Sequence, residues 1–144
     1  MSKRKIRIIN GPNLNLLGTR EPEIYGNKTF EQQLVEFQNE FPELEIDYFQ
    51  SNVEGELINS LHEAANKMDG VILNAGAYTH TSVALGDAIK AIDIPVVEVH
   101  ISNIFSREDF RHVSYLAPHC MGSIVGFGMD SYRLALQYFL GSRK

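Results

Sequence analysis

The chain has 144 residues, a length typical of one domain, and its formal net charge is -5. The acidic balance argues against a general binder of nucleic acid or of anionic membranes. No apolar run approaches the ~18 residues that span a bilayer, no signal-peptide core follows the basic start, and the single cysteine excludes an internal disulfide. We therefore expect one domain over residues 1–144, located in the reducing cytoplasm, without membrane or nucleic-acid partners.

Short apolar runs alternate with segments of helical period along the chain. The first helix is predicted to start at Thr29, where Gln32 completes a capping box, and to end before Pro42. Three more helices follow from apolar stripes that start near Leu57, Ala84 and Tyr132. The predicted strands are Ile6 to Ile9, Leu44 to Phe49, Val71 to Leu73, Pro95 to Val99 and Ser123 to Phe127. The order β-α-β-α-β-α-β-loop-β-α predicts an α/β fold, a flavodoxin-like doubly wound sheet of five parallel strands with helices on both faces.

Polar residues or glycines follow four of these strands. The four segments are Asn10 to Asn13, Gln50 to Asn52, Asn74 to Gly76, and Glu98 to Asn103. In open α/β sheets, ligands bind beyond the carboxyl ends of the strands. Asn and Ser also end strands simply by making turns, but their coincidence at four strand ends favours a binding site at this edge.

The connection from Gly11 to Lys28 is much longer than the roughly 2 to 6 residues typical of such loops. Glycines flank a segment that carries Arg20 and Tyr25, a composition that suits a closing flap. Ionising a phenol at pH 7 costs about 4 kcal/mol, and a guanidinium ~4 Å away at an effective dielectric of ~20 returns a similar amount. Arg20 can therefore make Tyr25 an accessible base. The alternative is a surface loop in which Tyr25 packs on the base of the loop.

His100 follows Glu98 by two residues, so on a strand both side chains point to the same face. A carboxylate in that position orients the imidazole and favours its protonated form, which suits a general acid. A core histidine bonded to a carboxylate for structural reasons is the alternative, and these two residues alone do not separate the two interpretations.

Further cations and donors lie near the same edge. Arg107 and Arg111 are four residues apart, which on a helical turn is unfavourable unless an anion, or the acidic residues between them, relieves the repulsion. The segment from Asn74 to Ser82 leads a strand into a helix and contributes backbone N–H groups and His80.

Nucleotide and metal motifs are not found. The segment Gly11 to Gly18 lacks the Gly-Lys-Ser/Thr ending of a P-loop, and Gly126-Phe127-Gly128 lacks the third glycine of a dinucleotide fingerprint. The five histidines have no ligand-pair spacing, and no acidic loop resembles a calcium site. We therefore expect no cofactor and no metal.

With these residues assembled, the chain resembles the type II 3-dehydroquinate dehydratases over its whole length. The resemblance is carried by five segments rather than by one short pattern. They are Asn10 to Asn15, Leu17 to Gly26, Gln50 to Leu57, Asn74 to Ser82, and Glu98 to Asn103 followed by Arg107 to His112.

The resemblance implies reversible loss of water from 3-dehydroquinate to give 3-dehydroshikimate through an enolate, in the shikimate pathway of aromatic biosynthesis. Tyr25 would remove the proton beside the ketone, and Arg20 would keep Tyr25 ionised. Asn13, with a bound water, would stabilise the enolate oxygen. His100, backed by Glu98, would protonate the departing hydroxyl.

The resemblance also implies the groups that hold the substrate. Asn74 and the backbone amides of Ile101 and Ser102 would bind the carboxylate, and His80 and Arg111 would bind the ring hydroxyls. Asp87 would reach the site of a neighbouring subunit, in a homo-oligomer of four trimers that form a dodecamer.

The chain departs from the family pattern at three positions. Val53 stands where many relatives have His, Gly86 where Arg is common, and Ser131 where Gly is frequent. None is a proposed acid, base or enolate stabiliser, but the first two affect subunit contacts and the charge at the rim.

Three alternative functions remain: quinate breakdown by the same chemistry, a flavodoxin-like binding module without catalysis, and a carbohydrate-type lyase or hydrolase. The last would require paired carboxylates at the rim, which the sequence does not show.

Overall fold

The computed structural model describes residues 2–19 and 27–142. Within them, one parallel sheet has the strand order β2-β1-β3-β4-β5. The strands are β1 (Arg4–Asn10), β2 (Leu44–Gln50), β3 (Gly70–Asn74), β4 (Val96–His100) and β5 (Gly122–Val125). The α-helices are α1 (Phe30–Glu40), α2 (Glu54–Lys67), α3 (Val83–Ala91) and α4 (Asp130–Gly141). The predicted flavodoxin-like doubly wound fold is confirmed.

Alternate residues of the strands face two separate hydrophobic clusters, because successive side chains of a strand point to opposite faces of the sheet. Ile8 and Val97 pack in one cluster with residues of α1 and α4, such as Phe37. Ile9 and Val71 pack in the other cluster with residues of α2 and α3. Helices therefore cover both faces, and ligand-binding groups are left to the carboxyl edge of the sheet.

The start of α1 matches the sequence prediction in detail. The Thr29 side chain accepts a hydrogen bond from the backbone N–H of Gln32 at 3.2 Å, and the Gln32 side chain accepts one from the backbone N–H of Thr29 at 2.9 Å. This reciprocal capping satisfies two of the backbone donors that a helix start leaves unpaired.

Each strand differs from its prediction by one or two residues at one or both ends, and the differences at β1 and β5 have a visible cause. β1 begins at Arg4 instead of Ile6, and its Arg7 is buried because Asp47 and Glu63 accept hydrogen bonds from the guanidinium at 3.0 and 2.7 Å. β5 ends at Val125 instead of Phe127. The backbone φ of +96° at Gly126 ends the extended conformation there.

The loops that follow β1 and β3 are held tightly together. The backbone N–H of Gly11 donates to the carbonyl of Asn74 at 2.7 Å. A Cβ atom at Gly11 would lie 2.5 Å from the carbonyl oxygen of Ala75, so this close approach requires glycine. The contact places Asn13 and Asn74 on the same edge of the sheet.

Candidate active site

A cavity of about 240 Å³ lies at the carboxyl edge of the sheet, among the loops that follow β1, β3 and β4. Its apolar wall comes mainly from the loop after β1. Seven of the residues predicted to be functional line it: Asn13, Asn74, His80, His100, Ile101, Ser102 and Arg111. Arg107 lines it as well. The clustering of polar strand ends inferred from the sequence is therefore present in the fold.

Glu98 and His100 form a buried pair at the end of β4. Their side chains are on the same face, as predicted, and His100 Nε2 lies 2.7 Å from Glu98 Oε2. A carboxylate accepts hydrogen bonds, so this contact assigns a hydrogen to Nε2. The His100 ring makes no further hydrogen bond to the described residues, and its Nδ1 is the nitrogen left to exchange a proton with a ligand.

Two serines complete the hydrogen bonding of Glu98. Ser123 donates to Oε1 at 2.6 Å and Ser114 donates to Oε2 at 2.8 Å. Burial raises the pKa of the Glu98 carboxyl, but the hydrogen bonds from His100, Ser123 and Ser114 outweigh burial and hold this pKa below its ordinary value of 4.5. Glu98 is therefore a buried carboxylate that stays ionised opposite the His100 ring.

The depressed pKa of Glu98 makes part of the stability of the protein depend on pH. An acid whose native pKa is below its unfolded value stabilises the fold fully above the unfolded pKa, and loses this effect as pH falls through the native pKa. We expect the free energy of unfolding to fall less steeply below about pH 5 in Glu98→Gln than in wild type. Urea unfolding between pH 3 and 7 measures this slope, with the exposed Glu45→Gln as control. Equal slopes in Glu98→Gln and wild type would contradict the prediction.

His80 lies beside His100, with ring centroids 6.2 Å apart and the rings nearly parallel. Its Nδ1 is 2.8 Å from the carbonyl oxygen of Val113, which accepts a hydrogen bond. Burial lowers the pKa of His80, and the nearby His100 and Arg111 lower it further. A neutral His80 with its hydrogen on Nδ1 presents Nε2 as an acceptor, which suits a ligand hydroxyl.

Asn13 begins a short 3-10 turn, Leu14–Leu16, in a left-handed conformation with a φ of 71°. Its backbone N–H donates to Asn52 Oδ1 at 3.0 Å. Gln50 Nε2 in turn donates to Asn52 Oδ1 at 3.1 Å and to the carbonyl of Gly11 at 3.1 Å. The end of β2 thus holds the backbone of Asn13, and the exposed Asn13 side chain lines the cavity.

Hydrogen-bond donors for an anion lie between β3 and β4. Asn74 is almost fully buried and lines the cavity with Ile101 and Ser102. The backbone N–H groups of Ile101 and Ser102 make no hydrogen bond to another described residue. Ile101 is buried and Ser102 is partly buried, so two neighbouring backbone donors without a partner in the described part of the chain face the cavity region, which suits a bound anion such as a carboxylate.

The repulsion anticipated between Arg107 and Arg111 is relieved within the protein. Glu108 accepts a hydrogen bond from Arg111 Nε at 2.9 Å and lies 3.8 Å from Arg107 Nε. Arg107 Nη1 also donates to Ser102 Oγ at 3.3 Å. Both arginines line the cavity, so its mouth carries positive charge that an acidic ligand would meet.

The remaining predicted residues are outside this group. Asp87 is exposed on α3 and does not line the cavity of its own chain. Arg20 and Tyr25 lie outside the described residues. The flanks of their segment are described, however, and the backbone of Lys28 comes within 2.9 Å of a Cβ atom built on Gly18. The two ends of the segment, at Gly18 and Lys28, therefore lie close together, next to Leu16 and Leu17 in the wall of the cavity.

Sequence reasoning missed the polar groups that support the site from behind. Ser114 and Ser123 on Glu98 come from a loop and an edge strand with no spacing relation to β4. Tyr132 was expected only as an apolar residue of the last helix, yet its hydroxyl bonds to Asn10 and Asn74. The segment Asn10 to Asn15 was identified by the family resemblance, but its Pro12 and Leu14 were not expected to form an apolar wall of the cavity.

Within residues 2–19 and 27–142, no three histidine, cysteine, aspartate or glutamate side chains come together in a group able to hold a metal ion. Across the same residues, no helix has the length and hydropathy needed to cross a membrane.

Known proteins resemble this chain in both sequence and fold. The family model described as Dehydroquinase class II matches residues 4–140. A 3-dehydroquinate dehydratase of Clostridium perfringens (strain SM101 / Type A) is 57% identical over 135 residues, which cover 92% of each protein. The crystal structure of type II dehydroquinase from Butyrivibrio crossotus DSM 2876 has a TM-score of 0.91 and 43% identity, covering 98% of this chain and 100% of that one. That of the type II dehydroquinase from Propionibacterium acnes has a TM-score of 0.90 and 39% identity, covering 99% of both.

Proposed function

The chain belongs to the class II dehydroquinase family, and on that premise we propose that it is a hydro-lyase of the shikimate pathway. It converts 3-dehydroquinate reversibly to 3-dehydroshikimate by loss of water. The observation that carries the proposal is the buried Glu98–His100 pair, whose His100 lines a cavity together with Asn74, Arg107 and Arg111. Loss of water from a β-hydroxy ketone needs a base, an acid and a group that stabilises the enolate. Side chains supply all three, so the proposal includes no cofactor or metal.

His100 is the proposed general acid. Glu98 accepts the hydrogen on Nε2 and so fixes the orientation of the ring, and in the protonated ring the hydrogen on Nδ1 can be given to the departing hydroxyl. The hydroxyl leaves as water, and the C–O bond electrons of the substrate go to oxygen while the enolate collapses to the conjugated ketone. Supported by two serines, Glu98 remains ionised and balances the charge of the ring.

Tyr25 is the proposed base, and Arg20 the cation that keeps it ionised. Both belong to the segment between Gly18 and Lys28, two residues that lie close together beside the cavity. A guanidinium about 4 Å from the phenol would offset the cost of ionising it at neutral pH. Asn13, whose backbone Asn52 holds, is the proposed stabiliser of the enolate oxygen through a bound water.

The carboxylate of the substrate is proposed to bind Asn74 and the backbone N–H groups of Ile101 and Ser102. The support is that these donors border the cavity and that the two backbone groups donate to no other described residue. His80 and Arg111 are proposed to bind the ring hydroxyls. A neutral His80 can accept from a hydroxyl, whereas Arg111 can only donate to one.

We extend the proposal to a cytoplasmic dodecamer of four trimers, in which Asp87 reaches a neighbour's site. Two observations support an assembly. Asp87 is exposed and does not line its own cavity, and large apolar side chains are exposed around the edge strand β5. Phe105, Phe127 and Leu134, which are 60%, 64% and 46% exposed, line one open groove there. Sedimentation of the purified protein as a species of 16.2 kDa would contradict the assembly.

The direct test of the function is to incubate the purified protein with 3-dehydroquinate and to follow the absorbance of the conjugated enone. We expect the absorbance to rise at an unchanged rate when a chelator is present. A protein that binds flavin and leaves 3-dehydroquinate intact would instead support the binding-module alternative. A rate that the chelator removes would contradict the metal-free mechanism.

A further inference from the structure

A chain of buried and partly buried hydrogen bonds runs behind the cavity, from β2 to the loop after β3. The fully buried hydroxyl of Tyr132 on α4 donates to Asn10 Oδ1 at 2.7 Å and accepts from Asn74 Nδ2 at 2.9 Å. Asn10 Nδ2 donates to Tyr48 Oη at 3.3 Å. At the other end, the backbone N–H of Gly76 donates to Asn74 Oδ1 at 3.2 Å.

The direction of every bond in this chain follows from its Gly76 end. A backbone N–H can only donate, so the group that receives it must be the oxygen of the Asn74 amide. The Asn74 amino group therefore faces Tyr132, whose hydroxyl accepts this bond and directs its own hydrogen to Asn10 Oδ1. The amino group of Asn10 is then left to donate to Tyr48.

These hydrogen-bond directions determine which atom of the Asn74 amide is available to a ligand. Its oxygen is occupied by Gly76, and one of its two amino hydrogens is occupied by Tyr132. The second amino hydrogen has no partner among the described residues, and Asn74 lines the cavity. Asn74 therefore presents a donor, which suits an anion. A flipped amide would instead present an oxygen, which repels one.

We propose that Tyr132 is a positioning residue for the substrate carboxylate, acting through the amide of Asn74. The inference rests on the proposed function and adds to it a residue that does not line the cavity. Burial raises the pKa of Tyr132, and burial likewise raises the pKa of Tyr48 to about 12, so both phenols stay protonated at neutral pH. Phenylalanine at position 132 would retain the aromatic packing against Phe30 and Phe37. The ring of Tyr132 therefore provides packing, and its hydroxyl provides the hydrogen bond that orients the Asn74 amide.

The test compares Tyr132→Phe with Tyr48→Phe. Each variant removes a hydroxyl that bonds to Asn10, fully buried in Tyr132 and partly buried in Tyr48, but only Tyr132 also contacts Asn74. We expect Tyr132→Phe to raise the KM for 3-dehydroquinate about 10-fold or more, with kcat within about threefold of wild type. Tyr48→Phe should lower thermal stability less, because its one hydrogen bond is longer and only partly buried, and should change KM less than twofold. Equal KM changes in the two variants, or none in Tyr132→Phe, would overturn the role of Tyr132.

A double-mutant cycle tests whether Tyr132 acts on KM through Asn74. Asn74→Ala removes the donor itself and should raise KM, and Tyr132→Phe added to it should raise KM no further, because the two residues act through one contact. Additive effects on KM would overturn the proposal. Absence of turnover by wild type would overturn the proposed function, whereas wild-type turnover with additive effects would overturn only the inference on Tyr132.

Discussion

Replacement of His100 by alanine is expected to lower kcat for 3-dehydroquinate by about 10²- to 10⁴-fold, the usual contribution of a positioned general acid. His100 is the ring whose Nε2 hydrogen is held by Glu98 and whose other nitrogen remains for a ligand. Without it, the hydroxyl must leave with a proton from water or depart as hydroxide. The rise in enone absorbance under saturating substrate measures the loss.

The matched control for this variant is His62→Ala, which removes an exposed histidine on α2, away from the cavity. It should leave kcat unchanged. The buried Glu98 would lose its ring partner in His100→Ala, so a melting curve is needed to show that the variant is folded. A folded His100→Ala protein with kcat near that of wild type would remove His100 from the mechanism.

Tyr25→Phe is expected to abolish measurable turnover while substrate still binds. The proton beside a ketone is weakly acidic, and phenylalanine has no group that can accept it. Because the proposed carboxylate and hydroxyl contacts come from Asn74, His80 and Arg111, binding does not depend on the phenol. Titration calorimetry with 3-dehydroquinate measures binding, and the enone assay measures turnover.

Tyr138→Phe provides the control, since it removes a phenol that is 40% exposed on α4. Its kcat and affinity should match those of wild type. Near-normal turnover by Tyr25→Phe would show that another group is the base. Loss of binding together with turnover would instead give Tyr25 a role in holding the substrate.

The periodicity of apolar residues was enough to predict the fold class. Fully buried strands such as Val71 to Leu73 are apolar without alternation, and the intervening helices show one apolar face, so a doubly wound parallel sheet follows. The capping box at Thr29 was equally predictable, because its hydrogen bonds join residues only three positions apart in the sequence. The end of β5 was predicted two residues too late. The sequence does not show that Gly126 adopts a positive φ, which ends the strand at Val125.

The candidate site was predicted as far as it depends on strand ends. Asn74 and His100 end neighbouring strands of a parallel sheet, so the fold class alone places them on one edge. The pairing of Glu98 with His100 was also predictable, since residues two apart on a strand share a face. Whether that pair served structure or chemistry was left open by the sequence, and its place beside a cavity supports the chemical role.

The sequence by itself determined which groups lie at the carboxyl edge of the sheet. Strand periodicity can be read from neighbouring residues, and in a parallel sheet the last residues of every strand lie at the same edge. Only the tertiary structure decided how those groups are held. Ser114, Ser123 and Tyr132 reach Glu98 and Asn74 across 16, 25 and 58 residues of chain, and contacts at such separations leave no periodic trace. The hydrogen-bond directions that orient Asn74 and keep Glu98 ionised arise from packing, where each buried polar group must find a partner.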